Sequence, residues 1–297
     1  MLIKKWVLPI STTALFSIFA GPALADCSSL PSWQALKAAL AGVVSHGGNG
    51  GLGFHMWGTL VADDGTVCAV AFSGGKFVDQ WLGSRVISAQ KANTANAFSL
   101  GKGSTPASSF PGSAGLALST ANLFTAVQPG GSLYGLQHSN PVDTGVAYGN
   151  GNGQSGFSQA SFQPGQSGAQ NFGTPRDPMV GDRIGGVNVF GGGLALYRGG
   201  IRVGGLGVSG DTSCTDHMVA WKVRAALALD GFNGVAGVSG DMQRPDNIIF
   251  DIIANPDGTG GTGQSPGGTG GVGHSPSGFG HPSCLNPPNP ASLPAVH

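Results

Sequence analysis

The sequence predicts a mixed fold in which antiparallel β-hairpins pack with helices in a single domain. An Asp-Gly pair at 64–65 separates two runs rich in β-forming residues, and this dipeptide is a strong signal for a hairpin turn. A Gly-Gly pair at 199–200 separates two further β-forming runs in the same way. Three segments, 32–46, 81–100 and 213–229, have apolar residues at helical spacing. The expected body therefore contains two hairpins and three helices.

The composition excludes several classes of protein. The 297 residues include 14 Lys and Arg and 14 Asp and Glu, so the formal net charge is zero. A protein that binds nucleic acid through phosphate contacts needs a basic excess that this chain lacks. The hydrophobic fraction of 40% argues against a charge-rich disordered chain. The 54 glycines follow no three-residue period, which excludes collagen.

The N-terminal residues have the pattern of an export signal. Two lysines at 4–5 precede an apolar run over 6–20, and a small-x-small motif follows at 23–25. We therefore expect a signal peptide over 1–25, cleaved near Ala25, and a periplasmic or secreted protein that does not span a membrane. Acylation of Cys27 is a less favoured alternative, because Asp26 stands where a small residue is expected.

Four cysteines are predicted to form disulfides, since an even number in an exported chain favours them. Of the three possible pairings we expect Cys27–Cys284 and Cys68–Cys214, because the first two lie near the mature termini and the other two lie in the candidate core. Zinc binding is not favoured, because we identify neither a C-x-x-C motif nor a paired His/Cys spacing.

Sequence patterns also predict the details of the elements. The first helix is expected to begin after Ser32 and to bury Trp33, Leu36, Leu40, Val43 and Val44. The first hairpin is expected to pair Val61 with Cys68, Thr59 with Val70 and Trp57 with Phe72. Because side chains alternate along a strand, His55, Trp57 and Cys68 would then share one face of the sheet.

The later elements follow from similar signals. An alanine stripe, Ala89, Ala92 and Ala95, would let the second helix lie close to a sheet. The third helix is expected to begin at Ser213, which forms a capping-box pattern with Asp216. A last strand is predicted over 246–254.

The expected domain organisation is a signal peptide over 1–25, one domain over 26–256 with loose insertions at about 101–118 and 141–182, and a Gly/Pro-rich flexible tail over 257–297. Gly/Ser-rich sequence in the tail cannot bury enough surface to offset its ordering entropy. His274 and His281 are therefore expected to be solvated.

The segment 205–210 matches G-x-G-x-x-G, but a dinucleotide site is not favoured. That motif needs a βαβ unit, and the strands around it are expected to be antiparallel. We instead expect Gly204, Gly205 and Gly207 to allow a helix or a second subunit to approach the strand closely.

Four other residues remain as candidate metal or haem ligands. Asp211, Asp216 and His217 lie around the start of the third helix, and His55 lies on the first hairpin. Alternatively, the two aspartates cap the helix and His217 is exposed.

The motifs KANTANAF (91–98), VFGGGLAL (189–196), VGGLGVSGD (203–211) and DHMVA (216–220), in this order, resemble the GlcG/HbpS-like family of haem-binding or haem-degrading domains. The segment 120–136 also resembles the family. Gly193 departs from it, because the family has proline there.

The resemblance implies an α+β, profilin-like antiparallel sheet flanked by helices, and a homo-oligomer that binds a small molecule, most simply haem. The residues proposed for ligand binding are His55, Trp57, Phe72, Lys91, Thr94 and His217, with His217, Asp216 and Asp211 as candidate metal ligands. One alternative is a lyase or oxidoreductase for a small metabolite that uses Lys91, and another is a structural oligomer. A buried Lys91 in a pocket would favour the enzyme.

Overall fold

Four strands form one antiparallel sheet in the computed structural model: β1 (Trp57–Ala62), β2 (Val67–Phe72), β4 (Gly193–Arg198) and β5 (Ile201–Ser209). Their order across the sheet is β2-β1-β5-β4. A separate parallel pair consists of β3 (Leu116–Ala117) and β6 (Ala236–Gly237). The predicted α+β class, with an antiparallel sheet flanked by helices, is confirmed.

Three helices cover the two faces of this sheet. They are α1 (Trp33–His46), α2 (Gly83–Ala97) and α5 (Ser213–Ala226), with the short helices α3 (Leu123–Ala126) and α4 (Thr144–Tyr148) between α2 and β4 in the chain. Buried side chains of α1 and α5 pack on one face, and those of α2 pack on the other. The sheet is therefore the middle layer of three.

The structure describes residues 27–104, 115–148, 169–256 and 273–297. The expected signal peptide, the middle of each insertion and residues 257–272 of the expected tail lie outside the described residues. None of the described helices is both long enough and apolar enough to cross a membrane.

The first hairpin has a different turn from the predicted one. Ala62 N–H donates to Thr66 O, so three residues form the loop, and Gly65 adopts a φ of 87°. Trp57–Phe72 and Thr59–Val70 pair as predicted, but Val61 pairs with Val67.

A bulge absorbs the extra residue of this hairpin at Cys68. The Cys68 side chain therefore packs on the α1 side of the sheet, whereas Trp57 packs on the α2 side. The predicted shared face of Trp57 and Cys68 is wrong.

Both predicted disulfide pairings are wrong. The structure contains Cys27–Cys68 and Cys214–Cys284, with Cα–Cα distances of 5.5 and 6.0 Å. Cys68 lies on the edge strand β2, and β1 separates it from β5, after which α5 and Cys214 begin. Cys68 and Cys214 therefore do not pair with each other, and each pairs with a cysteine near one end of the described chain, Cys27 or Cys284.

The segment 273–297 packs against the rest of the chain, which corrects the prediction of a flexible tail for these residues. Leu293 and His281 are buried, and His281 N–H donates to Ile249 O. The predicted strand over 246–254 is also wrong. Its backbone makes only isolated bonds with the C-terminal segment, such as those between Ile253 and His274.

The predicted helix starts are partly confirmed. Ser32 caps α1 through its Oγ, which accepts from Ala35 N–H. Thr212, rather than Ser213, caps α5, because its side chain accepts from Thr215 N–H. Asp216 is thereby left free to make other contacts.

Glycines on β5 let α2 lie directly on the sheet. A Cβ atom at Gly207 would lie 1.8 Å from Ser88 O, and one at Gly205 would lie 2.2 Å from Ala92 O. The predicted alanine stripe of α2 is fully buried at this contact. The predicted close approach of a helix is confirmed for these two glycines, whereas Gly204 meets the backbone of Val61 on β1.

We expect Gly207→Ala to destabilise the protein by about 3 kcal/mol, because the new methyl group would force α2 away from β5. Gly42→Ala on α1 is the matched control. No atom would lie within 4 Å of its Cβ, so it should stabilise the protein by about 0.5–1 kcal/mol. Urea unfolding of the two variants measures both effects, and equal stabilities would contradict the tight contact.

Candidate functional site

The residues of the family-like motifs meet where α2, β5 and α5 come together. Lys91 Nζ on α2 lies 2.7 Å from Asp216 Oδ2 on α5 and also donates to Val208 O. Both side chains are 2% exposed. The absence of a side chain at Gly192 leaves room here, because a Cβ there would lie 2.9 Å from Asp216 Cβ. The ion pair therefore links helices from opposite faces of the sheet.

This arrangement gives Lys91 a structural contact. Burial raises the pKa of Asp216 to about 6, although the ammonium group of Lys91 opposes that shift. The carboxylate is thus mostly ionised at neutral pH and pairs with the lysine. Lys91 is thus buried in an ion pair, and it lines neither the cavity of about 410 Å³ near the C-terminal residues nor the cavity of about 130 Å³ beside Asp211.

Asp211 and Thr94 hold neighbouring loops by hydrogen bonds. The carboxylate of Asp211 accepts from the backbone N–H groups of Leu52 and Phe54. Thr94 Oγ1 donates to Gln90 O within α2 and accepts from Asn188 N–H. Asp211 therefore fixes the loop that leads into β1.

His217 is fully buried on α5. Its Nε2 lies 3.2 Å from Asn247 Oδ1 and 3.2 Å from the Ile248 nitrogen. Burial lowers the pKa of His217 to about 3, so the ring is uncharged at neutral pH. The alternative that His217 is exposed is wrong, and no solvent-exposed surface of this ring could meet a ligand in the described structure.

Trp57 and Phe72 fill the core on the α2 side of the sheet. Their rings meet edge to face with centroids 5.4 Å apart, and Trp57 Nε1–H donates to Trp81 O. Neither residue lines one of the two cavities.

His55 is exposed at the open end of the first hairpin. Its Nδ1 lies 3.1 Å from Ser73 Oγ, which also accepts from Met56 N–H. The next ring along the chain, Phe54, meets Trp81 edge to face with centroids 5.1 Å apart.

Exposed apolar side chains are close in the chain to His55 or to Trp81. We call the following residues the hairpin-end surface: His55 together with Leu52, Phe54, Val78, Trp81 and Leu82. The last three are each more than half exposed. Isolated exposed apolar residues are common, but adjacent ones at a loop cluster indicate a contact surface. The sequence pattern indicates His55 as a candidate ligand but gives no sign of the contact between Phe54 and Trp81.

One cavity lies elsewhere, near the C-terminal residues. It has a volume of about 410 Å³ and includes Phe232, Val235, Pro245, Val296 and His297 in its lining. His297 Nδ1 lies 3.3 Å from Asp230 Oδ2 at its edge. A second cavity of about 130 Å³ adjoins Asp211 and Thr215.

Within the described ranges, the group of potential metal-ligating atoms that converges is Cys214, His281 and Cys284. The expected metal ligands Asp211, Asp216 and His217 are not brought together in this way. His281, which is expected from the composition of the tail to be solvated, is only 2% exposed. The spacing His281-x-x-Cys284 was the available signal, because a His and a Cys three residues apart can bind one ion.

Comparison with known proteins gives limited similarity. No protein-family model and no curated protein matches this chain. The crystal structure of a PduOC–haem complex aligns at 23% identity over 65% of this chain and 89% of that chain. Protein ORFY of Klebsiella pneumoniae, described with the family name DUF336, aligns at 19% identity over 66% of this chain and 86% of that chain. Both TM-scores are 0.38, and at that value neither alignment assigns a function to this chain.

We expect Lys91→Met to destabilise the protein by about 3–5 kcal/mol, because it leaves the buried Asp216 carboxylate without its partner. The double variant Lys91→Met/Asp216→Asn should recover most of that loss, since it removes the unpaired charge. Chemical denaturation of both single variants and the double variant completes the cycle. A loss below about 1 kcal/mol for Lys91→Met would contradict a structural role for the ion pair.

We expect His217 to destabilise the folded protein as the pH falls. Its folded pKa of about 3 lies below the unfolded value of 6.5. Between these two pH values, the unfolded chain takes up the proton and the folded protein does not. Through this group, the free energy of unfolding should fall by about 2 kcal/mol between pH 7.5 and 5. Wild type should therefore lose about 2 kcal/mol more than His217→Gln over this interval in urea unfolding.

The comparison isolates His217 because Asp216 is present in both proteins. The raised pKa of Asp216 acts in the opposite direction, since the folded state takes up its proton first as the pH falls. Parallel pH profiles for wild type and His217→Gln would show that the His217 ring is solvated.

Proposed function

We propose that this protein is an exported haem-binding protein, in which the hairpin-end surface contacts the porphyrin and His55 binds the iron. The observation that carries the proposal is an exposed imidazole, His55, next in the chain to Phe54, which forms an exposed aromatic pair with Trp81. Haem has a large apolar face and needs only one or two axial atoms from the protein. The family-like motifs add support from the sequence.

The geometry of His55 suits an axial ligand. Its Nδ1 is held by Ser73 Oγ, so Nε2 is the ring nitrogen available to iron. Ligating histidines commonly have their other ring nitrogen fixed in this way. Asp211 fixes the adjacent Leu52–Phe54 loop through backbone hydrogen bonds, which holds the Phe54 ring beside Trp81.

The other expected ligand residues fit haem less well. Trp57, Phe72 and Thr94 are buried against the protein itself, and His217 is enclosed within the α5 side of the core. We therefore place the iron ligand at His55 and assign Lys91 and Asp216 to stability. Bound haem would supply its own redox and ligand-exchange chemistry, whereas the protein residues would bind and orient it.

Export is part of the proposal. Two disulfides join the described segments, and disulfides persist in oxidising compartments such as the periplasm or the extracellular space. The signal-like N-terminal sequence supports the same location. The homo-oligomer implied by the resemblance stays a prediction.

Titration of the purified protein with haemin, followed by the Soret band, tests the function. We expect one haem per chain and a shifted Soret band at micromolar haemin. His55→Ala should weaken binding at least tenfold and alter the spectrum, because it removes the iron ligand. Trp81→Ser should weaken binding with less effect on the spectrum, because it removes only apolar contact.

His46→Ala is the matched control, since His46 is an exposed histidine at the other end of α1 from Trp33. It should bind haemin as wild type does. Loss of binding in His297→Ala with full binding in His55→Ala would move the site to the 410 Å³ cavity. No spectral change in wild type would reject haem as the ligand.

A further inference from the structure

A second site is built around the Cys214–Cys284 disulfide. The two sulfur atoms and a ring nitrogen of His281 lie within 4.8 Å of one another. Cys214 is in the first turn of α5, whereas His281 and Cys284 come from the C-terminal segment. Ala121 and Ile248 pack around the disulfide, so the group is enclosed on its inner side.

The ring of His281 has one nitrogen with a hydrogen-bond partner and one without. Its Nδ1 lies 2.7 Å from Pro282 O, and a carbonyl oxygen can only accept, so Nδ1 carries the proton. The lone pair is therefore on Nε2. That atom is buried and has no hydrogen-bond partner among the described residues. An unsatisfied buried acceptor is costly, and it requires an explanation.

The N-terminus of α5 favours negative charge on the sulfur atoms. Cys214 N–H points at Cys284 Sγ at 3.2 Å, and Ser213 Oγ lies 3.6 Å from the same atom. Thiolates at a helix N-terminus have lowered pKa values, because the helix dipole and free N–H groups stabilise them. Cys214 is buried, whereas Cys284 is partly exposed.

We propose that reduction of the Cys214–Cys284 disulfide creates a zinc site formed by Cys214, Cys284 and His281. A dithiol supplies two electrons and two protons, so the S–S bond breaks, two thiols form and the dithiol becomes a disulfide. Zn²⁺ then binds both sulfurs as thiolates and displaces their two protons to solvent. The fourth position of the tetrahedral ion is left to water, as in other sites with two cysteines and one histidine.

The metal would replace the covalent crosslink with a coordinate one. In the oxidised protein the disulfide holds the segment 273–297 against α5, and in the reduced protein zinc would hold the same residues together. The site thus responds to the thiol redox state of its surroundings and is independent of haem binding at the hairpin end.

The test uses the full chain with Cys27→Ser/Cys68→Ser, so that Cys214–Cys284 is the sole disulfide. After reduction with a phosphine, the protein is titrated with Zn²⁺ against a chromophoric chelator, and with Co²⁺ to detect a thiolate-to-cobalt charge-transfer band. We expect one metal ion per chain in the reduced protein and none in the oxidised protein.

Two variants in the same background establish the ligands. His281→Gln keeps the approximate size of the side chain and should weaken Zn²⁺ binding at least tenfold. Cys284→Ser should abolish the cobalt charge-transfer band expected for two thiolates. His217→Gln, which alters a buried histidine outside the group, should leave the stoichiometry unchanged.

Circular dichroism of every reduced sample shows whether the chain is folded. Zinc binding that is equal in wild type and His281→Gln would overturn the proposal. So would a reduced protein that is folded but takes up no metal. A reduced protein that is unfolded before zinc is added would also overturn it, because the site would not be preformed.

Discussion

The direct contact of α2 with β5 is the constraint on which the rest of the structure depends. It requires hydrogen atoms instead of side chains at Gly205 and Gly207, since any Cβ would overlap the helix backbone. At this short separation Lys91 can reach past the end of β5 to Asp216 on the opposite face. These two glycines thereby determine the positions of α2, the ion pair and the start of α5. Beside the start of α5, Asp211 orders the loop next to His55.

The motif residues and the candidate ligand surface have different tasks in this arrangement. Lys91, Asp216 and Thr94 are buried, and their polar groups bond to other groups of the protein. Their role is therefore to hold the layers together. The hairpin-end surface, in contrast, leaves an imidazole and several apolar side chains uncovered. A fold can retain its buried motif residues while its ligand chemistry depends on exposed loops. Function therefore has to be argued from the residues of the exposed loops.

Local patterns in the sequence predicted the elements well, and nonlocal contacts limited the rest. Ser32, the glycine turn at 199–200 and the alanine stripe of α2 act over a few residues, and all three were confirmed. The disulfide pairings failed because the cysteines were grouped by their position along the chain, whereas β1 separates the strand of Cys68 from β5 and the helix of Cys214. His281 was missed because glycine-rich composition gave no sign that the C-terminal segment would pack on the body. Of the candidate site, His55 was predicted, whereas Phe54 and Trp81 become neighbours only after the hairpin and the start of α2 fold together.

The two crosslinks have a thermodynamic consequence for a chain in which 54 of 297 residues are glycine. Each glycine loses more backbone freedom on folding than any other residue, which favours the denatured ensemble. The disulfides close loops with sequence separations of 41 and 70 residues, and in the chain-entropy description such closures restrict that same ensemble. In that description the two crosslinks offset part of the entropic cost of ordering a glycine-rich chain.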